Sequence, residues 1–203
     1  MFAMSVPQLS AAALRVLSSL SEKQRTVPDT YPMTLNALQS ACNQKTSREP
    51  VLTLSEAEIL AALDELRDLG WIAEQSGGRA SRFAQQFDKA LQLPSQSVAI
   101  LTVLMLRGPQ TAGELRLNCE RMHRFADISA VEAFLEELSE RAAGALVRLL
   151  PRQPGARESR WVHLLGEVAE DAPAVAPSPD LLASLLQRVE VLEQAVAALQ
   201  AGR

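Results

Sequence analysis

Cysteine, histidine and aromatic side chains are scarce in this chain of 203 residues, which holds 2 Cys, 2 His, 1 Tyr, 2 Trp and 5 Phe. Cys42 and Cys119 cannot build a disulfide framework, and with only His123 and His163 beside them the soft ligands of a structural zinc site are missing. No metal or cofactor is expected. Long apolar runs are also absent. The longest, Val98 to Leu106, is interrupted by Thr102 and falls far short of the ~20 residues that cross a bilayer, so no membrane partner is expected. Met1-Phe2-Ala3-Met4-Ser5 lacks the basic start and apolar run of a secretory signal, which makes the cytoplasm the expected compartment. The last deficit is positive charge. Lys+Arg number 20 against 24 Asp+Glu, a formal net charge of −4, the opposite of the balance usual in a nucleic-acid binder.

What is present suits a globular protein: hydrophobic residues make up 47% and charged residues 22%, enough for a packed core in one or two domains. Residues 10 to 23 set Leu14, Leu17 and Leu20 on one helical face with Ser10 as N-cap. Residues 26–32 contain Pro28 and Pro32 and read as a connection with a short extended piece. Thr34 then caps a helix carrying Leu35, Leu38 and Ala41, and a polar loop runs from Asn43 to Pro50. Ser55-Glu56-Ala57-Glu58 is a capping box opening a third helix, with Ile59, Leu63, Leu66 and Leu69 inward and Gly70 closing it. Trp71-Ile72-Ala73 and Arg82-Phe83-Ala84 flank Gly77-Gly78 as two short strands.

Three helices followed by a hairpin is the order of a winged helix-turn-helix. The order then recurs. Val98, Leu101, Leu104 and Met105 lie on a helix apolar enough to be central, and Gly108-Pro109 breaks it. Thr111-Ala112-Gly113-Glu114 and Ser129-Ala130-Val131-Glu132 each have capping-box spacing, the second opening a helix with Val131, Phe134, Leu135 and Leu138 inward. Residues 146–149 and 160–164 flank a Pro/Gly turn as a second wing. The expected fold is therefore mainly α with small β-hairpin wings: tandem winged helix-turn-helix domains at 1–90 and 91–166. A Pro/Ala linker follows at 167–179, then a C-terminal helix at 180–203. In that helix Leu182, Leu185, Val189, Leu192, Val196 and Leu199 form a heptad seam, read either as a homodimeric coiled coil or as a surface that docks back on its own chain.

The charge divides unevenly. Residues 1–90 carry 9 basic and 10 acidic side chains and residues 91–166 carry 9 and 8, whereas 167–203 carry 2 and 6. The folded halves are neutral together, and the tail supplies the deficit. Arg148, Arg152, Arg157 and Arg160 cluster on the second wing, with Lys45, Arg48, Arg79 and Arg82 as a weaker second set of nucleic-acid-binding candidates. The alternative for the wing cluster is a solvated hairpin pairing with Glu158. Glu132, Glu136, Glu137 and Glu140 in the second half, and Glu56, Glu58, Asp64, Glu65 and Asp68 in the first, oppose ordinary major-groove reading by either third helix.

Catalytic signatures are thin. Cys42 lies in a polar segment, but neither histidine is near it in sequence to act as base, and a small buried residue is the simpler reading. His123, within Arg121-Met122-His123-Arg124, reads as a surface residue. No phosphate-cradling glycine loop or Ser/His/Asp pattern occurs, so the protein is not expected to be an enzyme. The Asn43 to Pro50 loop has two readings, a binding loop or an unusual turn in which Asn43 and Ser47 satisfy backbone groups.

Glu22-Lys23, then Thr26-Val27-Pro28-Asp29-Thr30-Tyr31-Pro32-Met33-Thr34-Leu35-Asn36-Ala37-Leu38, then Ala41-Cys42-Asn43-Gln44-Lys45-Thr46-Ser47-Arg48-Glu49-Pro50-Val51 closely resemble the YceH family of uncharacterised bacterial proteins. Residues 106–116 and 157–164 add to the resemblance, which spans roughly 9 to 165. It implies a tandem winged-helix architecture and no established activity. Val27 and Met33 replace residues of similar size, and the tip at Gly77-Gly78-Arg79 is shorter than usual. Two functions stand: a regulator binding duplex DNA mainly through the second wing, or a protein-interaction scaffold whose acidic helices and tail contact a protein partner.

Overall fold

A computed structural model describes residues 6–76 and 80–167. Arg79, the helix expected at 180–203 and all but the first residue of the 167–179 linker lie outside the described residues.

Helix α1 (Ala11–Thr26) starts where Ser10 Oγ accepts from the Ala13 amide, and Ser10 is itself fixed by Glu65, which takes its N–H at 2.9 Å and its hydroxyl at 2.7 Å. Every residue from Ala13 to Ser21 is buried, because α1 is covered on several sides. Two of its buried serines pair internally: Ser18 Oγ donates to the Leu14 carbonyl at 2.6 Å, and Ser21 bonds Thr102 at 2.7 Å.

A single 3-10 turn (Pro28–Thr30) occupies the connection between the prolines, and the short extended piece, β1 (Met33–Thr34), comes just after Pro32 rather than within residues 26–32. Thr34 caps α2 (Leu35–Cys42), and the Ser55/Glu58 capping box opens α3 (Glu56–Asp68). Gly70, at φ 69°, turns the chain into β2 (Ile72–Gln75), which pairs antiparallel with β3 (Arg82–Gln85). β1 adds to the other edge of β3, giving the order β1-β3-β2 with Met33 opposite Phe83. Leu69 corrects the sequence expectation: it is 37% exposed. At 100° per residue it falls about 80° off the stripe begun by Ile59, beyond reach of the core.

A short α4 (Phe87–Ala90), without a periodic signal of its own, buries Phe87 with its ring centroid 6.4 Å from that of Trp71. α5 (Ser95–Arg107) is buried at every position from Ser97 to Leu106, as its apolar sequence requires. α6 (Ala112–Asn118) opens on the Thr111/Glu114 capping box. α7 (Ile128–Ser139) starts two residues earlier than a Ser129 cap would place it. Its cap is Asp127, whose Oδ1 accepts from the Ala130 amide at 2.8 Å, and Ser129 lies inside the first turn. Val131, Leu135 and Leu138 are buried, whereas Phe134 is half-buried and meets Phe125 edge-on.

β4 (Val147–Leu149) and β5 (Trp161–His163) form the last hairpin, Arg148 opposite Val162. Gln110 bridges Trp161 through reciprocal backbone bonds of 3.0 and 2.7 Å. Residue 110 thus repeats the part of β1: each precedes a Thr-capped helix and pairs with the second strand of its hairpin.

The protein is mainly helical with small antiparallel sheets. α1 packs along α5, and one hydrophobic cluster runs through both halves, so residue 90/91 divides α4 from α5 within a single compact unit. The ends of this unit are tied: the Leu9 amide donates to the Leu165 carbonyl at 2.7 Å and Gln8 Nε2 to that of Leu164 at 2.9 Å. No helix among the described residues is long and apolar enough to cross a membrane.

Candidate nucleic-acid interface

The second hairpin is anchored at its base and open at its tip. Val147, Val162 and His163 are buried at the base, and Leu150 N donates to the Arg160 carbonyl at 2.8 Å to extend the ladder one step. Beyond it, residues 151–158 are exposed and carry Arg152 and Arg157. Arg148 is exposed on β4, next to Leu149 at 50% exposure, so the hairpin presents basic and apolar side chains outward together.

Arg160 has a different part. Its Nη1 donates to the Pro109 carbonyl at 2.7 Å and its Nη2 to Glu114 Oε1 at 3.0 Å. Glu114 Oε2 meanwhile accepts the Thr111 amide at 2.9 Å. One carboxylate therefore closes the α6 capping box and holds the root of the hairpin. Arg160 positions the hairpin rather than extending its charge.

The weaker set divides further. Lys45 is exposed. Arg82 is on β3 and donates to the Pro32 carbonyl at 2.8 Å, fastening β3 to the start of β1. Arg48 is a correction. Its side chain is 0% exposed, 2.7 Å from Glu22, and it also donates to the carbonyls of Ala41 and Ser47. Burial pushes the Glu22 carboxyl up, but the hydrogen bonds and charge of Arg48, with Lys23 adding to them, hold it below the usual carboxylate range. A guanidinium so enclosed cannot meet a phosphate. Sequence gave its charge but not the partner 26 residues away.

That burial also decides much of the Asn43 to Pro50 loop. The Asn43 amide pairs both ways with Leu54, accepting its N–H at 2.7 Å and donating to its carbonyl at 2.9 Å. Ser47 adopts φ 59° and its Oγ accepts from Arg107 at 2.9 Å. Arg15, itself buried, donates to the carbonyls of Cys42 at 3.1 Å and Pro50 at 2.6 Å. Cys42 faces this network, fully buried, and burial pushes its thiol up to about 11, the wrong direction for a nucleophile.

Exposed basic residues that charge counting alone did not single out are Arg121 and Arg124, in the connection between α6 and α7. The signal was their spacing in Arg121-Met122-His123-Arg124, where His123 is half-buried with its ring 4.7 Å from that of Phe125. The opposing charge is confirmed in place: Glu132, Glu136, Glu137 and Glu140 are exposed along α7 and just past its end.

The family described as "Protein of unknown function, DUF480" matches residues 9–156. The chain belongs to the DUF480 family. It is 61% identical over 202 residues to a "UPF0502 protein" of Dechloromonas aromatica (strain RCB), covering 97% of this chain and 95% of the relative. A "UPF0502 protein" of Acidovorax sp. (strain JS42) is 53% identical over 204 residues, with 95% and 90% covered. One from Paracidovorax citrulli (strain AAC00-1) is 62% identical over 160 residues, 77% and 69% covered. The matched DUF480 segment takes in the Arg48–Glu22 pair, the Asn43 clamp and the exposed tip as far as Arg152.

Proposed function

We propose that this protein is a non-catalytic, cytoplasmic DNA-binding regulator in which two winged-helix units share one core. The observation that carries the reading is the second hairpin: rooted by Arg160 on Glu114 and Pro109, it exposes Arg152 and Arg157 beyond its anchored base and Arg148 on β4. Phosphate contacts need exposed cations, and Arg152 and Arg157 lie on a different element from the carboxylates of α7. Lys45 and Arg82 form the second, weaker surface. The heptad seam at 180–203 would join two copies into a homodimer suited to paired half-sites.

Titrating a labelled duplex of about 25 base pairs at ~50 mM salt tests this, because contacts to ~2–4 phosphates weaken steeply as salt rises. The Arg152→Ala/Arg157→Ala variant should lower the salt slope by about 2. Absence of binding, or an unchanged slope in that variant, overturns the reading. Sedimentation of the chain truncated after residue 170 tests the dimer, which an unchanged oligomeric state removes.

A scaffold without DNA binding has its own support. Leu60 on α3 is 41% exposed and Ile128 at the start of α7 is 46% exposed, each on a helix rich in carboxylates. An apolar and acidic face repels a duplex and suits a basic protein partner.

A further inference from the structure

A cleft of about 270 Å³ opens where the C-terminal ends of α1, α5 and α6 meet Ser47. Its apolar wall is Val103, Leu106, Leu117 and Met122. Leu117 is 67% exposed, the largest exposure among the large apolar side chains described. Nothing in the packing of α6 explains it, but it borders this cleft.

The charges around the cleft do not cancel. Both oxygens of Glu22 are taken by Arg48, and Lys23 approaches one of them at 3.3 Å. Glu22 therefore has little charge left for a ligand. Among the described residues Arg107 has only the neutral hydroxyl of Ser47, at 2.9 Å, and no carboxylate lies within ion-pair distance of Arg107 or Arg121. Glu120, exposed on the rim, offsets one of the two guanidinium charges, so one positive charge remains. The negative ends of the helix dipoles oppose an anion, an effect that is screened by salt and falls off within the last turn. A direct charge-assisted hydrogen bond to a guanidinium is about twice as strong as a neutral one, and two arginines line the cleft. Ser47 presents its hydroxyl to Arg107 from a left-handed backbone conformation, φ 59°, of the kind that concentrates at functional sites.

We propose that this cleft binds a small organic anion, its carboxylate on Arg107 and Arg121 and its hydrocarbon body against Val103, Leu106, Leu117 and Met122. The volume lies just below the ~300–1,000 Å³ of pockets for drug-sized ligands, which limits the body to about one ring or a branched chain. The site draws on both halves, Ser47 from one and Arg107 and Arg121 from the other, and is independent of whether the hairpin binds DNA.

Phenylacetate and its neutral counterpart phenylacetamide separate charge recognition from apolar adhesion. With the full chain, phenylacetate should cause saturable shifts of the Ser47, Arg107 and Met122 amide resonances below about 10 mM, and phenylacetamide should bind about tenfold more weakly. Arg121→Gln, at an exposed position that the fold does not need, should weaken phenylacetate by about tenfold and leave phenylacetamide unchanged. Equal affinity for acid and amide, shifts elsewhere in the spectrum, no saturation, or indifference to Arg121→Gln would each overturn the proposal.

Discussion

Nη2 of Arg48 stands 2.7 Å from Oε2 of Glu22, joining the loop after α2 to the last turns of α1 with the arginine side chain wholly out of water. Removing Glu22 leaves the Arg48 charge in a place that cannot hydrate it, and removing Arg48 leaves the largely buried Glu22 with Lys23 alone. Glu22→Gln or Arg48→Ala should each destabilise the protein by about 3–5 kcal/mol, whereas Glu22→Leu combined with Arg48→Met should lie nearer the parent than either single change. Urea unfolding of the four proteins checks this. A double variant as unstable as the sum of its parts would show that packing, not charge, dominates.

The start of α7 distinguishes two residues that sequence spacing confuses. Asp127 supplies the cap and Ser129 does not. Asp127→Ala should cost about 1 kcal/mol, and Ser129→Ala should stay within about 0.5 kcal/mol of the parent. Thermal unfolding resolves the pair.

His163 sets a pH dependence. Burial at the hairpin base pushes its imidazole down to about 4 from an ordinary 6.5, and its Nδ1 accepts from the Leu165 amide at 3.3 Å. The unfolded chain therefore binds a proton between those two values that the folded chain refuses. Stability is complete above 6.5 and declines as pH falls toward 4, by roughly 2–3 kcal/mol over that window. Glu22 acts in the same direction but lower: its depressed carboxyl contributes stability that is present above 4.5 and lost as acid protonates it. Stability curves for His163→Gln should be flatter than the parent's between pH 6.5 and 4, and parallel curves would refute the assignment.

Gly166 has no room for a side chain. A Cβ there would lie 2.6 Å from the Leu9 carbonyl oxygen and 2.8 Å from Leu14 Cδ1. Gly166→Ala should cost about 1–3 kcal/mol by forcing apart the segments that bring residue 9 beside residues 165 and 166. Hydrogen exchange at the Leu9 amide should accelerate in the variant. Protection equal to the parent's would mean that the segments accommodate a methyl.

The helices were legible because their signals are local. Ser10, Thr34, Ser55 and Thr111 each cap the helix they precede, and α5 announces its burial by having no polar face. What the sequence hid was every decision made between distant segments. Arg48 and Lys45 are three residues apart and equally basic, yet one is enclosed by Glu22 and the other is exposed. Arg160 and Arg157 differ in the same way, because Glu114 and the Pro109 carbonyl claim only Arg160. Charge is read from residue type; availability depends on partners brought together by the fold. The cleft was illegible for that reason too: Ser47, Arg107 and Arg121 have no spacing that would associate them in the chain.

The seam of α1 and α5 makes connectivity and integrity separate properties. Each helix buries one side against the other, and Arg141 donates to the Leu91 carbonyl at 2.7 Å. A protease that cuts between residues 91 and 94 would nick the polypeptide without dividing the particle, and both fragments would leave a sizing column together. Neither fragment made alone would have anywhere to put its central helix.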